Sequence, residues 1–133
     1  MRSFIWRWGP AVAVMAIIFA ASATPGPDLP SFGFWDVAAK KGGHLCGYAL
    51  LAAAFLHALA YCREISRAQF MAAVCLAVLY SASDEWHQSF TPGRTPSLHD
   101  VGIDTAGALI GAIVFYRARS RFARRQEVGK SIS

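Results

Sequence analysis

Four apolar segments separated by short polar stretches set the pattern of this chain. They cover Pro10–Ala21, Gly42–Tyr61, about Ala68–Ser83 and about Val101–Tyr116. At about 1.5 Å per residue, each suits a helix that crosses most of a bilayer. The pattern therefore predicts an all-α integral membrane bundle of four transmembrane helices.

The connection between the first two segments has the composition of a loop. Residues Pro25–Lys41 include three prolines and two glycines, which favour turns over continuous helix. We expect at most one interfacial turn in this connection, around Phe32, Phe34 and Trp35.

The first segment ends in Ala21-Ser22-Ala23, which fits the small-x-small pattern of a signal-peptide cleavage site. Trp6 and Trp8 stand before it, at positions typical of a membrane interface. From the residues alone, this segment is either a cleaved signal or a retained first helix.

Positive charge is distributed unequally between the two sides that these segments define. Ten of the 13 Lys and Arg residues fall on the side that holds both termini and the turn after Tyr61. The positive-inside rule therefore predicts that both termini are cytoplasmic. Residues 1–116 form the predicted transmembrane domain, and residues 117–133 a basic, flexible cytoplasmic tail.

Composition supports the membrane class and excludes others. With 55% hydrophobic and 16% charged residues among 133, the chain fits one membrane domain. The net charge of +5 is concentrated after the last apolar segment, where it suits anionic lipid. Nucleic-acid binding is not expected, because no fold element is left to present that tail. The three cysteines, Cys46, Cys62 and Cys75, have no metal-binding spacing and are predicted to be buried and inert.

The stretch Ser81–Gly111 holds unusual chemistry for a membrane chain. Four carboxylates, two histidines and an arginine lie there between apolar runs. Helical spacing places the following side chains on one face of the third helix: Ser81, Asp84, Glu85 and Gln88. Ionisable groups at membrane depth are costly unless they are paired or reach water, so they indicate a functional site.

Two further segments are expected to meet that face. Asp100, Asp104, Gly107 and Gly111 share a face of the fourth helix. The two glycines form a GxxxG motif that allows close helix packing and a homo-oligomer. In the second helix, His44 and Tyr48 lie one turn apart, close to Lys41.

The turn Thr91–Arg94 completes the predicted site. Its proline and glycine favour a tight turn that aims the Arg94 guanidinium at the acidic stripe or at an anionic ligand. Ser97 is placed to cap the fourth helix. Such a cluster fits a structural network, acid–base chemistry or a hard metal site. No metal motif is recognisable, and no metal ligands or cofactor are assigned.

These residues give the chain a resemblance to the VanZ-like family of small bacterial membrane proteins. The matching positions are Lys41, His44, Tyr48, Asp84, Glu85, Gln88, Pro92, Gly93, Arg94, Asp100, Gly107 and Gly111, with a weaker match at Ser22. The similarity covers about Val14 to Tyr116. Asp104 departs from the family pattern, which commonly has asparagine there. The resemblance favours a retained first helix and a multi-pass protein of the bacterial cytoplasmic membrane.

The family's namesake is associated with teicoplanin resistance, so the resemblance implies a role at the cell envelope. The residues suggest binding or modification of an anionic lipid or lipid-linked envelope precursor. Ligand contacts are expected from Lys41, Tyr48, Gln88, Arg94 and Asp104. For an enzyme, Asp84 or Glu85 is the predicted general base, His44 its proton-donating partner and Asp100 the residue that orients His44. The alternative is a non-catalytic protein in which the charged cluster is a helix-packing network.

Overall fold

The computed structural model describes residues 2–28, 33–61 and 64–132, and side chains within those ranges from residue 4 to residue 125. These residues form four α-helices and two single 3₁₀ turns, and no strand occurs among them. The helices are α1 (Arg2–Ala23), α2 (Asp36–Leu59), α3 (Arg67–Gln88) and α4 (Leu98–Ile132). The prediction of an all-helical fold with four helices is confirmed.

Three of these helices are long and apolar enough to cross a membrane. The candidate spans are Phe4–Ala23, Gly33–Leu59 and Leu98–Arg125. Helix α3 has 22 residues, about 33 Å at 1.5 Å per residue, but Arg67 and two carboxylates make it less apolar. Large apolar side chains are exposed on the bundle surface, among them Phe4, Ile17, Phe19, Leu50, Met71, Leu79 and Val114. A surface of this kind suits lipid.

Helix α2 begins earlier than the sequence predicts. The structure starts it at Asp36 rather than Gly42, so the last six residues of the predicted loop are helical. Asp36 is favourable in a first turn and accepts from Lys40, one turn later, at 2.6 Å. A 3₁₀ turn at Gly33–Trp35 precedes it, with Phe34 exposed as an interfacial turn requires. Phe32 lies outside the described residues.

Helix α4 extends further than predicted. It continues to Ile132, so the backbone of the basic tail, predicted to be a flexible segment, is helical. Arginine, alanine, glutamine and glutamate favour helix, and no proline interrupts them. Helix α3 instead begins where a capping box forms: Ser66 Oγ accepts from Gln69 N–H at 3.2 Å, and Gln69 Oε1 accepts from Ser66 N–H at 2.9 Å.

Helix α2 is the centre of the bundle. It packs most extensively against α4, then against α3 and α1, while α1 and α4 are not in contact in the described residues. The buried core consists mainly of Tyr48, Leu51, Ala52, Phe55, Leu56, Ala73, Val74, Ala77, Ala108 and Ala112. The small side chains let the helices approach closely.

The glycine motif of α4 has a partner within the chain. A side chain at Gly107 would overlap the carbonyl oxygen of Leu45, and one at Gly111 would overlap that of Ala49. The motif therefore brings α4 against α2 of the same chain. A homo-oligomer through these glycines stays a prediction. It requires α2 of the same chain to move away from α4, because α2 already covers both glycines.

The cysteines do not occupy the predicted positions. Cys46 and Cys75 are free and exposed on the helix surface rather than buried. Lipid takes the place of a protein core around such side chains, so an outward position is not costly for a thiol. Cys62 lies outside the described residues.

Candidate functional site

The loops after α1 and α3 are joined at one end of the bundle. Gly26 N–H donates to the Pro92 carbonyl at 3.0 Å. Gly93 has a φ of +73°, and a Cβ there would lie 2.9 Å from Pro27 Cδ. Glycine is required by both the backbone conformation and the close approach. The turn predicted at Thr91–Arg94 thus anchors the end of α1.

Arg94 has a different partner from the one expected. Its guanidinium donates to the carbonyl of Ala21 at 2.7 Å and to that of Thr24 at 3.3 Å. These carbonyls lie at the C-terminal end of α1, where helix carbonyls lack intrahelical partners and attract a cation. Arg94 therefore caps α1 and does not compensate the acidic stripe.

Asp84 lies at a junction between α1 and α3. Its Oδ2 accepts from Ser22 Oγ at 2.7 Å and from Gln88 Nε2 at 3.0 Å. All three side chains are buried. A buried carboxylate requires such donors, so this network fixes the end of α1 on α3.

Asp104 lies at a second junction, where α2, α3 and α4 meet. Its Oδ2 accepts from Ser81 Oγ at 2.6 Å, and its Oδ1 is 3.2 Å from His44 Nδ1. Asp104 is only 1% exposed. Asp100 is the residue predicted to orient His44, but in the structure the carboxylate that contacts the imidazole is that of Asp104. Asp104 lies one helical turn deeper along α4, at the level of His44.

Glu85 connects α3 with the start of α4. Its Oε2 accepts from Ser97 N–H at 2.7 Å, and the carboxylate is buried. Ser97 Oγ in turn accepts from His99 N–H at 3.2 Å, as a helix cap does. The predicted capping role of Ser97 is confirmed.

Asp100 occupies the outer edge of the site. It lies 3.9 Å from Lys41 Nζ and 3.8 Å from His99 Nδ1, and all three groups contact water more than the buried carboxylates do. Ion pairs of this exposure contribute little to stability. They do place Lys41 and Asp100, from α2 and α4, at a common rim.

A cleft of about 480 Å³ opens at this end of the bundle, and we call it the polar cleft. It is lined by Gly26, Pro27, Val37, Lys40, Lys41, His44, Gln88, Gly93, Arg94, Thr95 and Asp100. Five of the nine predicted site residues are in that lining. Three of the other four are buried carboxylates, Asp84, Glu85 and Asp104, and we call them the acidic layer. Asp84 is bonded to Gln88, Asp104 contacts His44, and Glu85 lies close to both His44 and Asp104.

Tyr48 is the ninth predicted residue and does not line the polar cleft. It is 1% exposed, and its ring stacks on that of His44 with centroids 6.3 Å apart. Its hydroxyl is close to Ser81 but has no hydrogen-bond partner of acceptable geometry. Tyr48 is therefore a buried residue that packs beside His44 and does not contact the contents of the polar cleft.

Ser22 and Lys40 are two residues of the site that the sequence signals only weakly. Ser22 has a direct bond to Asp84, although its only signal in the sequence was the weak family match before the proline-rich loop. Lys40 lines the polar cleft because helix α2 begins early, which the loop-like composition concealed.

Comparison with known families agrees with this structure. The VanZ/LLP1 family model matches residues 7–119, nearly the whole bundle. The chain belongs to the VanZ/LLP1 family, and with its long apolar helices it is a VanZ-like membrane protein. No curated protein and no solved structure matches this chain.

Proposed function

We propose that this protein crosses the bacterial cytoplasmic membrane four times, with both termini in the cytoplasm. Three apolar helices and the unequal distribution of Lys and Arg support the arrangement. Helix α3 is the fourth span: its length is sufficient, and its polar end turns inward toward the acidic layer instead of facing lipid. The polar cleft then lies at the outer leaflet.

In this orientation the polar cleft binds the anionic headgroup of a lipid or lipid-linked envelope precursor. The observation that carries this proposal is the lining itself, which contains three cationic side chains, Lys40, Lys41 and Arg94, and only one carboxylate, Asp100. Lys41 is the least engaged of the three, since Lys40 also pairs with Asp36 and Arg94 with carbonyls of α1. Ammonium and guanidinium groups suit phosphate. The volume falls within the range of about 300–1,000 Å³ that small-molecule sites occupy. Changed teicoplanin susceptibility is one phenotype that follows for a protein of this envelope class.

If the bound headgroup is also modified, His44 is the side chain best placed to transfer a proton. It lines the polar cleft, while Asp104 holds its Nδ1 from the buried side. A carboxylate that orients an imidazole in this way is a recurring device of acid–base catalysis. Asp84 and Glu85, the predicted bases, are buried and already accept hydrogen bonds from Gln88 and Ser97. Asp84 therefore acts on the reaction through Gln88, which lines the cleft, while Glu85 positions the start of α4.

A second candidate is a protein without catalysis, in which the acidic layer holds the helices together. One observation favours it: Asp84 and Asp104 each accept hydrogen bonds from two side chains, with Ser22 on α1 and His44 on α2 among the donors. Networks that are satisfied to this degree can exist for packing alone.

Lipid mass spectrometry separates these candidates. A deletion strain is complemented with wild type or Asp84→Asn at matched membrane levels, and lipids and lipid-linked precursors are profiled. A species that changes with wild type but not with Asp84→Asn supports chemistry at the site and identifies the substrate class. Identical profiles in all strains would remove the enzyme version. A fall in membrane abundance of Asp84→Asn before any change in lipids would support the packing role.

A further inference from the structure

Three side chains of the site converge closely enough to hold a metal ion. His44, Glu85 and Asp104 come from α2, α3 and α4, and one ligand atom from each lies within 4.8 Å of the others. Around a tetrahedral ion with bonds of about 2.0–2.2 Å, the ligand atoms lie about 3.3–3.6 Å apart. The wider pairs of this group therefore have to approach by up to about 1.5 Å when an ion binds, a distance that side-chain rotation covers.

The acidic layer has more buried negative charge than nearby positive charge, which favours binding of a cation. Asp84, Glu85 and Asp104 are 4%, 6% and 1% exposed. In the part of the chain that the structure describes, His44 is the only basic side chain within 4.0 Å of any of them. Arg94, the expected counter-charge, is bonded to α1 carbonyls instead. Buried carboxylates without matching positive charge are unfavourable, and a bound cation removes that cost.

An unpartnered polar group points to the same place. The Tyr48 hydroxyl is buried without a hydrogen-bond partner, although buried hydroxyls nearly always have one. It lies near the carboxylates of Asp84 and Asp104 and the hydroxyl of Ser81. A water molecule bound to an ion that His44, Glu85 and Asp104 hold would offer this hydroxyl a partner.

We propose that His44, Glu85 and Asp104 bind one divalent cation, Mn²⁺ or Zn²⁺. One imidazole and two carboxylates suit these ions better than Ca²⁺, which takes more oxygen ligands, and no thiolate is present to select a softer metal. The polar cleft supplies the access route, because His44 lines it. The site does not depend on lipid binding in the cleft. A His44 that ligates the ion does not also transfer a proton, so this proposal replaces the proton-transfer role considered for His44 above.

The test is metal binding by the full-length protein, purified in detergent through a tag without histidines. Mn²⁺ titration is followed by electron paramagnetic resonance of the free ion, and Zn²⁺ competes in the same assay. We expect one high-affinity site per chain. Glu85→Gln and Asp104→Asn should weaken it by at least about tenfold, and bound metal should raise the unfolding temperature of wild type by more than that of these two variants.

The matched control is the exposed acid Glu64→Gln, which removes the same charge at the other end of the bundle and should bind Mn²⁺ as wild type does. If Asp104→Asn does not fold, Glu85→Gln decides, because a glutamine oxygen still accepts from Ser97 N–H. Absence of binding by wild type at millimolar Mn²⁺ and Zn²⁺ would overturn the proposal. Equal loss of binding in Glu64→Gln would overturn it as well, since adventitious charge would then explain the metal.

Discussion

The close contact between α2 and α4 can be tested by adding a single methyl group to α4. Gly107→Ala places a Cβ against the Leu45 carbonyl oxygen, which is backbone and cannot rotate away. Overpacking of this kind costs about 1–3 kcal/mol, and a backbone neighbour puts the cost at the upper end. Helix propensity returns about 1 kcal/mol. The expected net loss is about 2 kcal/mol.

Gly102→Ala is the matched control within the same helix. No atom lies within 4 Å of a Cβ built there, so only the helix propensity applies and stability should rise by up to about 1 kcal/mol. Both variants are unfolded reversibly in one mixed-micelle system and compared with wild type. If Gly107→Ala is as stable as Gly102→Ala, the close approach of α2 and α4 is refuted.

The same substitution links packing to the site. Leu45 follows His44 in α2, and Gly107 lies three residues after Asp104 in α4. Pushing the helices apart at this level lengthens the contact between His44 and Asp104, which is already 3.2 Å. A hydrogen bond is largely lost a few tenths of an ångström beyond that distance. The stability loss should therefore be accompanied by loss of any activity that requires His44.

Three further experiments test single contacts of the bundle by unfolding in the same micelles. A double-mutant cycle of Ser22→Ala and Asp84→Ala, which removes the acceptor, should show a coupling of about 1 kcal/mol, and additivity would contradict the buried bond. Arg94→Met should cost about 1 kcal/mol through lost bonds to α1, whereas an unchanged stability would mean that Arg94 does not cap α1. Tyr48→Phe should leave stability unchanged or raise it in the absence of metal, because its hydroxyl has no hydrogen-bond partner. Tyr80→Phe should cost about 1 kcal/mol, because that hydroxyl donates to an α1 carbonyl at 2.8 Å. A larger loss for Tyr48→Phe than for Tyr80→Phe would refute this assignment of hydrogen bonds to the two tyrosines.

Helical spacing was sufficient to predict which carboxylates share a face. Asp84 with Gln88, and Asp100 with Asp104, are each one turn apart, and the structure turns both pairs toward the cleft end of the bundle. The glycine motif of α4 was likewise readable, because only a close helix partner explains two small residues at that spacing on an acidic face.

The sequence does not determine which residue of α4 lies level with His44, or which groups Arg94 contacts. Spacing cannot determine which turn of α4 lies level with His44, so the choice between Asp100 and Asp104 needed the packing of α2 on α4. Arg94 was equally ambiguous: a cation satisfies helix carbonyls as well as carboxylates, and only the fold brings the end of α1 within reach of its turn.

Helix ends were missed where local signals conflict with one another. Glycine and proline before Asp36 concealed a helix start that the Asp36–Lys40 pair supports, and that start adds Lys40 to the cleft lining. The high positive charge of the basic tail is typical of flexible segments. Most of its residues nevertheless have a high helix propensity, and α4 continues through them to Ile132.

Native mass spectrometry of the full-length protein tests the central claim most directly. The protein is equilibrated with equal amounts of phosphatidylglycerol and phosphatidylcholine, and the lipid retained most tightly is identified. The account predicts retention of phosphatidylglycerol by wild type and about tenfold weaker retention, about 1.4 kcal/mol, in the variant Lys40→Gln/Lys41→Gln. The tail variant Arg124→Gln/Arg125→Gln, which removes the same charge, should keep the tightly bound lipid. Equal losses in both variants, or no preference for phosphatidylglycerol in wild type, would contradict a headgroup site in the polar cleft.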